Sequence, residues 1–205
     1  MYKYFLFCLC FTACHSAKPA FKINNIQHRL AIQSFQKELN LSFADSTSSP
    51  LSTEDRLQFE QLAFFDIDSN LRCMAKFTSK MGKVFKMKTT TDRQVEYRPY
   101  GQLVFELYGQ KHRLMLYQNI KLSQKEKYKD YLFLPFTDAT NGSDSYGGGR
   151  YIDFKIPQQK WVVLDFNKAY NPYCAYSSRY SCPIPPPQND MNIKVVAGVK
   201  APQEH

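Results

Sequence analysis

Histidine is scarce. The 205 residues hold four, His15, His28, His112 and His205, and none lies in the polar stretch 137–191. A cysteine or serine nucleophile in that stretch therefore lacks an imidazole base nearby in sequence. Paired Cys-x-x-Cys spacing is also missing, so a zinc site lacks its ligands. Asp138, Asn141 and Asp144 flank Gly142, but an EF-hand loop would place Thr137 and Ala139 at ligand positions one and three, which their side chains do not fit. No metal or cofactor is expected. Gly147-Gly148-Gly149 leads into a strand-like run and not a helix, which excludes a phosphate-binding P-loop and a dinucleotide fingerprint. Past the N-terminus no apolar run approaches the roughly 20 residues that cross a bilayer as a helix. Internal repeats are absent.

The formal charge is +9 and the pI about 9.2. Yet the lysines are scattered, with no basic helix and no aromatic RNA-binding signature. A solvated basic face is the reading, with no nucleic-acid partner. Such a face suits an anionic membrane surface or cell-envelope polymer better.

The first residues read as an address. Lys3 precedes a short apolar core, and Phe11-Thr12-Ala13 leads into Cys14. Small residues before a cysteine resemble the lipobox of bacterial lipoproteins, with Phe11 where leucine is usual. The expectation is a signal peptide over 1–13, acylation (palmitate-type) at Cys14, a lipidated tether over 14–22, and one domain over 23–205. Two or more acyl chains anchor stably. The implied location is the bacterial cell envelope, facing the periplasm, with the membrane as partner through Cys14.

After the tether, Ile26, Leu30, Phe35 and Leu39 fall near one helical stripe, flanked by Ile32, and Asn24 or Asn25 can cap its start. Ser52, with Glu54 and Asp55 in the first turn, opens a second helix. Leu57, Leu62 and Phe65 would be its buried side. From Leu71 the period becomes two: Leu71, Cys73, Ala75 and Phe77 alternate with polar residues. Val84, Phe85 and Met87 mark another strand. A hairpin over 102–117 turns at Gly109-Gln110 and would set Leu103, Phe105 and Leu107 opposite Leu116, Leu114 and His112. Further strands are expected over 131–136, 151–156, 161–166 and 192–199. The fold class is mainly β: an antiparallel sandwich or small barrel with one or two N-terminal helices.

The segments FTDATNGSDSYGGGRY, VVLDFNKAYNPYCAY and CPIPPPQN resemble the signature of the uncharacterised family known as domain of unknown function 1684, over about 49–200. The resemblance implies no established activity. It does direct attention to Asp138, Asn141, Tyr146, Arg150, Asp165, Asn167, Tyr170 and Asn171 as ligand-binding candidates. Arg150 beside three glycines suits an anion contact. Equally, it suits a buried pair with Asp138 or Asp165. Cys174 and Cys182, eight apart in an exported chain, point to a disulfide, while Cys73 alternates with core residues. The proline run 183–187 reads as a stiff brace across the sheet.

The expected function is a non-catalytic ligand-binding or envelope-interaction module that takes a small polar or anionic ligand. The enzymatic alternative is a hydrolase or lyase using Asp138 and Asp165 as an acid–base pair near Arg150. That chemistry needs both carboxylates on one cavity wall. A purely structural lipoprotein is the third reading.

Overall fold

Asn24 starts the first helix as expected: its Oδ1 accepts from the Gln27 N–H at 3.1 Å, and α1 runs Asn25–Ala44. A computed structural model describes residues 18–202. The expected signal peptide, Cys14 and the start of the expected tether lie outside the described residues. The buried side of α1 is His28, Ile32 and Phe43, with Phe35 and Leu39 half-buried, whereas Ile26 and Leu30 face solvent. His28 rotates the helix this way by reaching Asp165, so the expected stripe is right only in its second half. Ser52 caps α2, Thr53–Leu57, by accepting from Asp55 N–H at 3.0 Å. That helix stops after five residues, leaving Leu57 exposed, and Leu62 is buried in the irregular segment beyond it.

The rest is mainly antiparallel sheet. Eight strands form a curled half-barrel: β1 Arg72–Ser79, β2 Phe85–Met87, β3 Val95–Leu107, β4 Gln110–Asn119, β5 Tyr131–Asp138, β6 Arg150–Lys155, β7 Trp161–Asp165 and β8 Asp190–Met191. The ladder runs β6-β5-β4-β3-β1-β7, with β2 added to β3 and β8 to β5. Strands β6 and β7 are its two ends, yet only residues 156–160 separate them in the chain. A linker that short spans at most roughly 20 Å, so the sheet must curl until its ends approach. Over 192–199, where a strand is expected, the chain after β8 is a loop held by single contacts such as the Phe64–Val199 bridge.

The hairpin turns one residue earlier than expected. Tyr108 and Gly109 take φ of 51° and 73°, and Leu107 pairs with Gln110. Positive φ at both central residues matches the right-handed twist of the strands. Leu103 therefore faces Leu114, Phe105 faces His112, and Glu106 faces Lys111 rather than Arg113. Each partner moves by two positions, so inward and outward faces are preserved.

Alternation divides the side chains between two faces. Leu103, Phe105, Leu107, Leu114, Leu116, Leu132, Leu134, Phe136 and Ile152 form the inner core with Phe166 and Val195. Tyr97, Met115, Tyr117, Phe133 and Tyr151 form a cluster on the other face. Strand β3 serves both because a bulge interrupts its register between Pro99 and Gly101. The extra residue reverses the parity: Val95 and Tyr97 join the outer cluster, while Leu103, Phe105 and Leu107 point inward. The proline run lies across the outer face, where Pro183 O accepts from Tyr151 OH. Asn189 fixes its end through Met115 N–H, Met115 O and Pro135 O.

Candidate functional site

The signature residues fall into three groups. In the first, Arg150 at the head of β6 points into the core and is fully buried. Its Nη2 donates to Asp138 Oδ2 at 2.7 Å and to Val195 O at 2.8 Å, and its Nη1 donates to Ala197 O at 2.5 Å. The rings of Phe136 and Phe65 flank the guanidinium at 5.5 and 5.7 Å. Burial pulls the guanidinium below its ordinary pKa, and the Asp138 charge opposes that. Asp138 Oδ1 accepts from Thr140 N–H, Thr140 Oγ1 and Val195 N–H. Asn141 closes the loop: its Oδ1 accepts from Asp138 N–H, and its Nδ2 donates to Ser145 Oγ and Tyr146 O. Gly149 is required next to Arg150. Its φ is 86°, and a Cβ there would lie 2.7 Å from Phe136 O and from Pro185 Cγ. Of the two roles open to Arg150, the geometry takes the buried pair with Asp138.

The second group surrounds Asp165 at the end of β7. Its Oδ2 lies 2.8 Å from His28 Nε2 and 3.5 Å from Arg72 Nε. Its Oδ1 accepts from the backbone and side-chain N–H groups of Asn167, which opens the turn Phe166–Lys168. Asn167 also exchanges hydrogen bonds with the backbone of Asp68. This network staples α1 and the start of β1 to β7. Asp138 and Asp165 thus belong to separate networks, and neither lines the cavity described next. The acid–base reading asked for both on one cavity wall.

The third group is open. Between α1, the outer face of the sheet and the loop 170–183 lies a cavity of about 450 Å³. Phe35, Leu39 and Phe43 of α1 form one wall, and Tyr97, Tyr131, Phe133 and Tyr151 of the sheet another. Tyr170, Asn171, Tyr173, Tyr176, Tyr180 and Cys182 come from the loop. Phe43 holds the helix to the loop by edge-on contact with Tyr176, ring centres 4.8 Å apart. Asp153, an outward residue of β6, is the one charged residue on the lining among the described residues. Its Oδ1 accepts from Tyr131 OH at 2.8 Å and from Tyr170 OH at 2.5 Å. Burial, then the neighbouring Asp153 charge, pushes the Tyr131 phenol well above its usual pKa; burial does the same at Tyr170. Both phenols stay protonated as donors. Asn171 is buried, and its Nδ2 donates to Tyr176 OH and Lys200 O. Its Oδ1 has no donor among the described residues.

Cys174 and Cys182, the pair expected to form a disulfide, are brought together beside this cavity with their sulfurs unbridged. Cys174 N–H donates to Cys182 Sγ at 3.1 Å, and Tyr146 OH lies 3.9 Å from Cys174 Sγ. The hydrogen bond from the Cys182 thiol lowers Cys174 to about 6, against the effect of burial. The same bond, then burial, pushes Cys182 up. Burial pushes Tyr146 up to about 12. Among the described residues no three His, Cys, Asp or Glu are grouped to hold a metal ion.

Of the eight candidates, then, Tyr170 and Asn171 line the cavity, and Tyr146 reaches Cys174 next to it. Asp138, Asn141 and Arg150 share one internal network, Asp165 and Asn167 another. Asp153 and Tyr131 were not singled out. Both alternate with core residues, and residues at such positions usually face solvent.

The solution NMR structure of the uncharacterized protein from gene locus rrnAC0354 of Haloarcula marismortui has the same fold, with a TM-score of 0.66. The two are 33% identical over 88% of this chain and 97% of that one. No curated protein matches. The family model described as "Protein of unknown function (DUF1684)" matches residues 57–200, and the chain belongs to that family.

Proposed function

We propose that the protein is an acylated cell-envelope protein whose domain binds a small molecule in the tyrosine-lined cavity, without catalysis. The observation that carries this reading is the cavity's construction. Its volume, about 450 Å³, falls in the range of small-molecule sites, and an aromatic wall with a few converging polar groups is how such sites are built. Tyrosine suits the task because its ring gives apolar contact and its hydroxyl a polar handle. The anchor reading rests on the lipobox-like run before Cys14. It predicts that Cys14→Ala abolishes incorporation of labelled palmitate and moves the protein out of the membrane fraction.

Native mass spectrometry of the protein from its own envelope, with a denatured spectrum alongside, tests the binding reading. A co-purified mass present only under native conditions, or a rise in melting temperature with small apolar amines or alcohols, is the expected result. A bare native mass together with no thermal response contradicts it.

A further inference from the structure

We propose that the cavity selects a small protonated amine carrying an apolar body, with the ammonium set against Asp153. The inference rests on the ligand-binding reading above and names the ligand class of that same site.

Four observations point this way. Among the described residues Asp153 is the lining's one charged residue, on a chain whose net charge is +9. Among the described residues it has no ion-pair partner, since neighbouring Lys155 reaches Asp130 instead. The groups that do bind Asp153 are neutral. Tyr131 and Tyr170 both donate to Oδ1, so they orient the carboxylate and leave its charge in place. Oδ2 accepts no hydrogen bond among the described residues. Such a group is costly when a ligand closes over it unmatched.

Charge decides between ligand classes. An anion would meet a carboxylate and, among the described residues, no basic residue on the lining. A neutral apolar molecule would strip water from Asp153 and give nothing back. An ammonium donates to the free Oδ2 of Asp153, and the faces of the surrounding tyrosines attract it through their quadrupoles. The apolar remainder of the ligand would rest on Phe35, Leu39 and Phe133.

The test uses three probes of similar shape on the full chain at pH 7: 2-phenylethylammonium, neutral 2-phenylethanol and anionic 3-phenylpropanoate. Binding is followed by the tyrosine ring resonances. The ammonium is expected to bind about tenfold tighter than the alcohol, the carboxylate to bind weakest, and Asp153→Asn to bring ammonium and alcohol level. Thermal unfolding confirms that the variant is folded, and the comparison of probes on the unchanged chain needs no variant. If the alcohol binds as well as the ammonium, the amine inference is overturned and the ligand-binding reading stands. If the preference survives in Asp153→Asn, the assignment to Asp153 is overturned. Should no probe shift the cavity rings at millimolar concentration, both readings fall.

Discussion

Two charged residues of strand β6, Arg150 on one face of the sheet and Asp153 on the other, are treated in opposite ways. Arg150 points inward, is fully buried, and meets a carboxylate and two carbonyls. Asp153, three positions on and of opposite parity, points to the outer face and meets two neutral phenols. A buried charge tolerates the interior only if it is paired and hydrogen-bonded; Arg150 is paired with Asp138 and hydrogen-bonded through Nη1 and Nη2, with its Nε alone lacking an acceptor among the described residues. Asp153 is oriented without being neutralised. Residues of the first kind hold the fold together, whereas residues of the second kind remain able to meet something else. The cysteines repeat the contrast: Cys73 lies inside, where burial pushes its thiol up to about 12, while Cys174 beside the cavity is lowered to about 6.

The largest expected effect is the difference between those thiols. At pH 7 Cys174 is mostly thiolate, while the thiolate fraction of Cys73 is roughly 10⁻⁵. Iodoacetamide should label Cys174 first, with a rate that falls as pH drops below about 6. Equal labelling of Cys73, or a Cys174 rate still climbing through pH 9, would break the contrast. Next comes Arg150→Met. It leaves Asp138 buried without its counter-charge, at a cost of about 3–5 kcal/mol, read as a lower denaturant midpoint. Adding Asp138→Asn should recover part of that loss. His28→Ala removes one partner of a buried hydrogen bond and should cost about 1–3 kcal/mol, with α1 exchanging its amide hydrogens faster. The smallest effect belongs to Asp153→Asn, whose stability should stay within about 0.5 kcal/mol of the parent. A large loss there would make Asp153 a structural residue like Arg150 and remove the distinction.

Much of the fold was legible because alternation is a local property. The strands at 71–78, 131–136, 151–156 and 161–166, the caps Asn24 and Ser52, and the proline brace all follow from short-range pattern. The hairpin register was missed by two positions because Tyr108, a residue that seldom takes positive φ, occupies the turn. The rotation of α1 was missed because it depends on His28 finding Asp165, 137 residues away. The site was half legible. Tyr170 and Asn171 stand out as polar residues at the end of a strand. Asp153 does not, since the outward position of an alternating strand ordinarily faces water. What makes it distinctive is Tyr131 on the adjacent strand and Tyr170 from the following loop, and only the tertiary fold brings these together. Conversely, the glycine-flanked Arg150 looked like a binding group because its sequence context suits an anion nest. The bulge in β3, which aims Tyr97 at the cavity, has no clear mark in the sequence beyond Pro99 and Gly101.

The claim that Asp153 and its tyrosines form the binding site is tested most directly by intermolecular NOEs between 2-phenylethylammonium and the protein. The account predicts contacts from the methylene next to the ammonium to the rings of Tyr131 and Tyr170, and from the phenyl group to Phe35 and Leu39. Contacts confined to the loop 138–149, with the cavity rings silent, would contradict it.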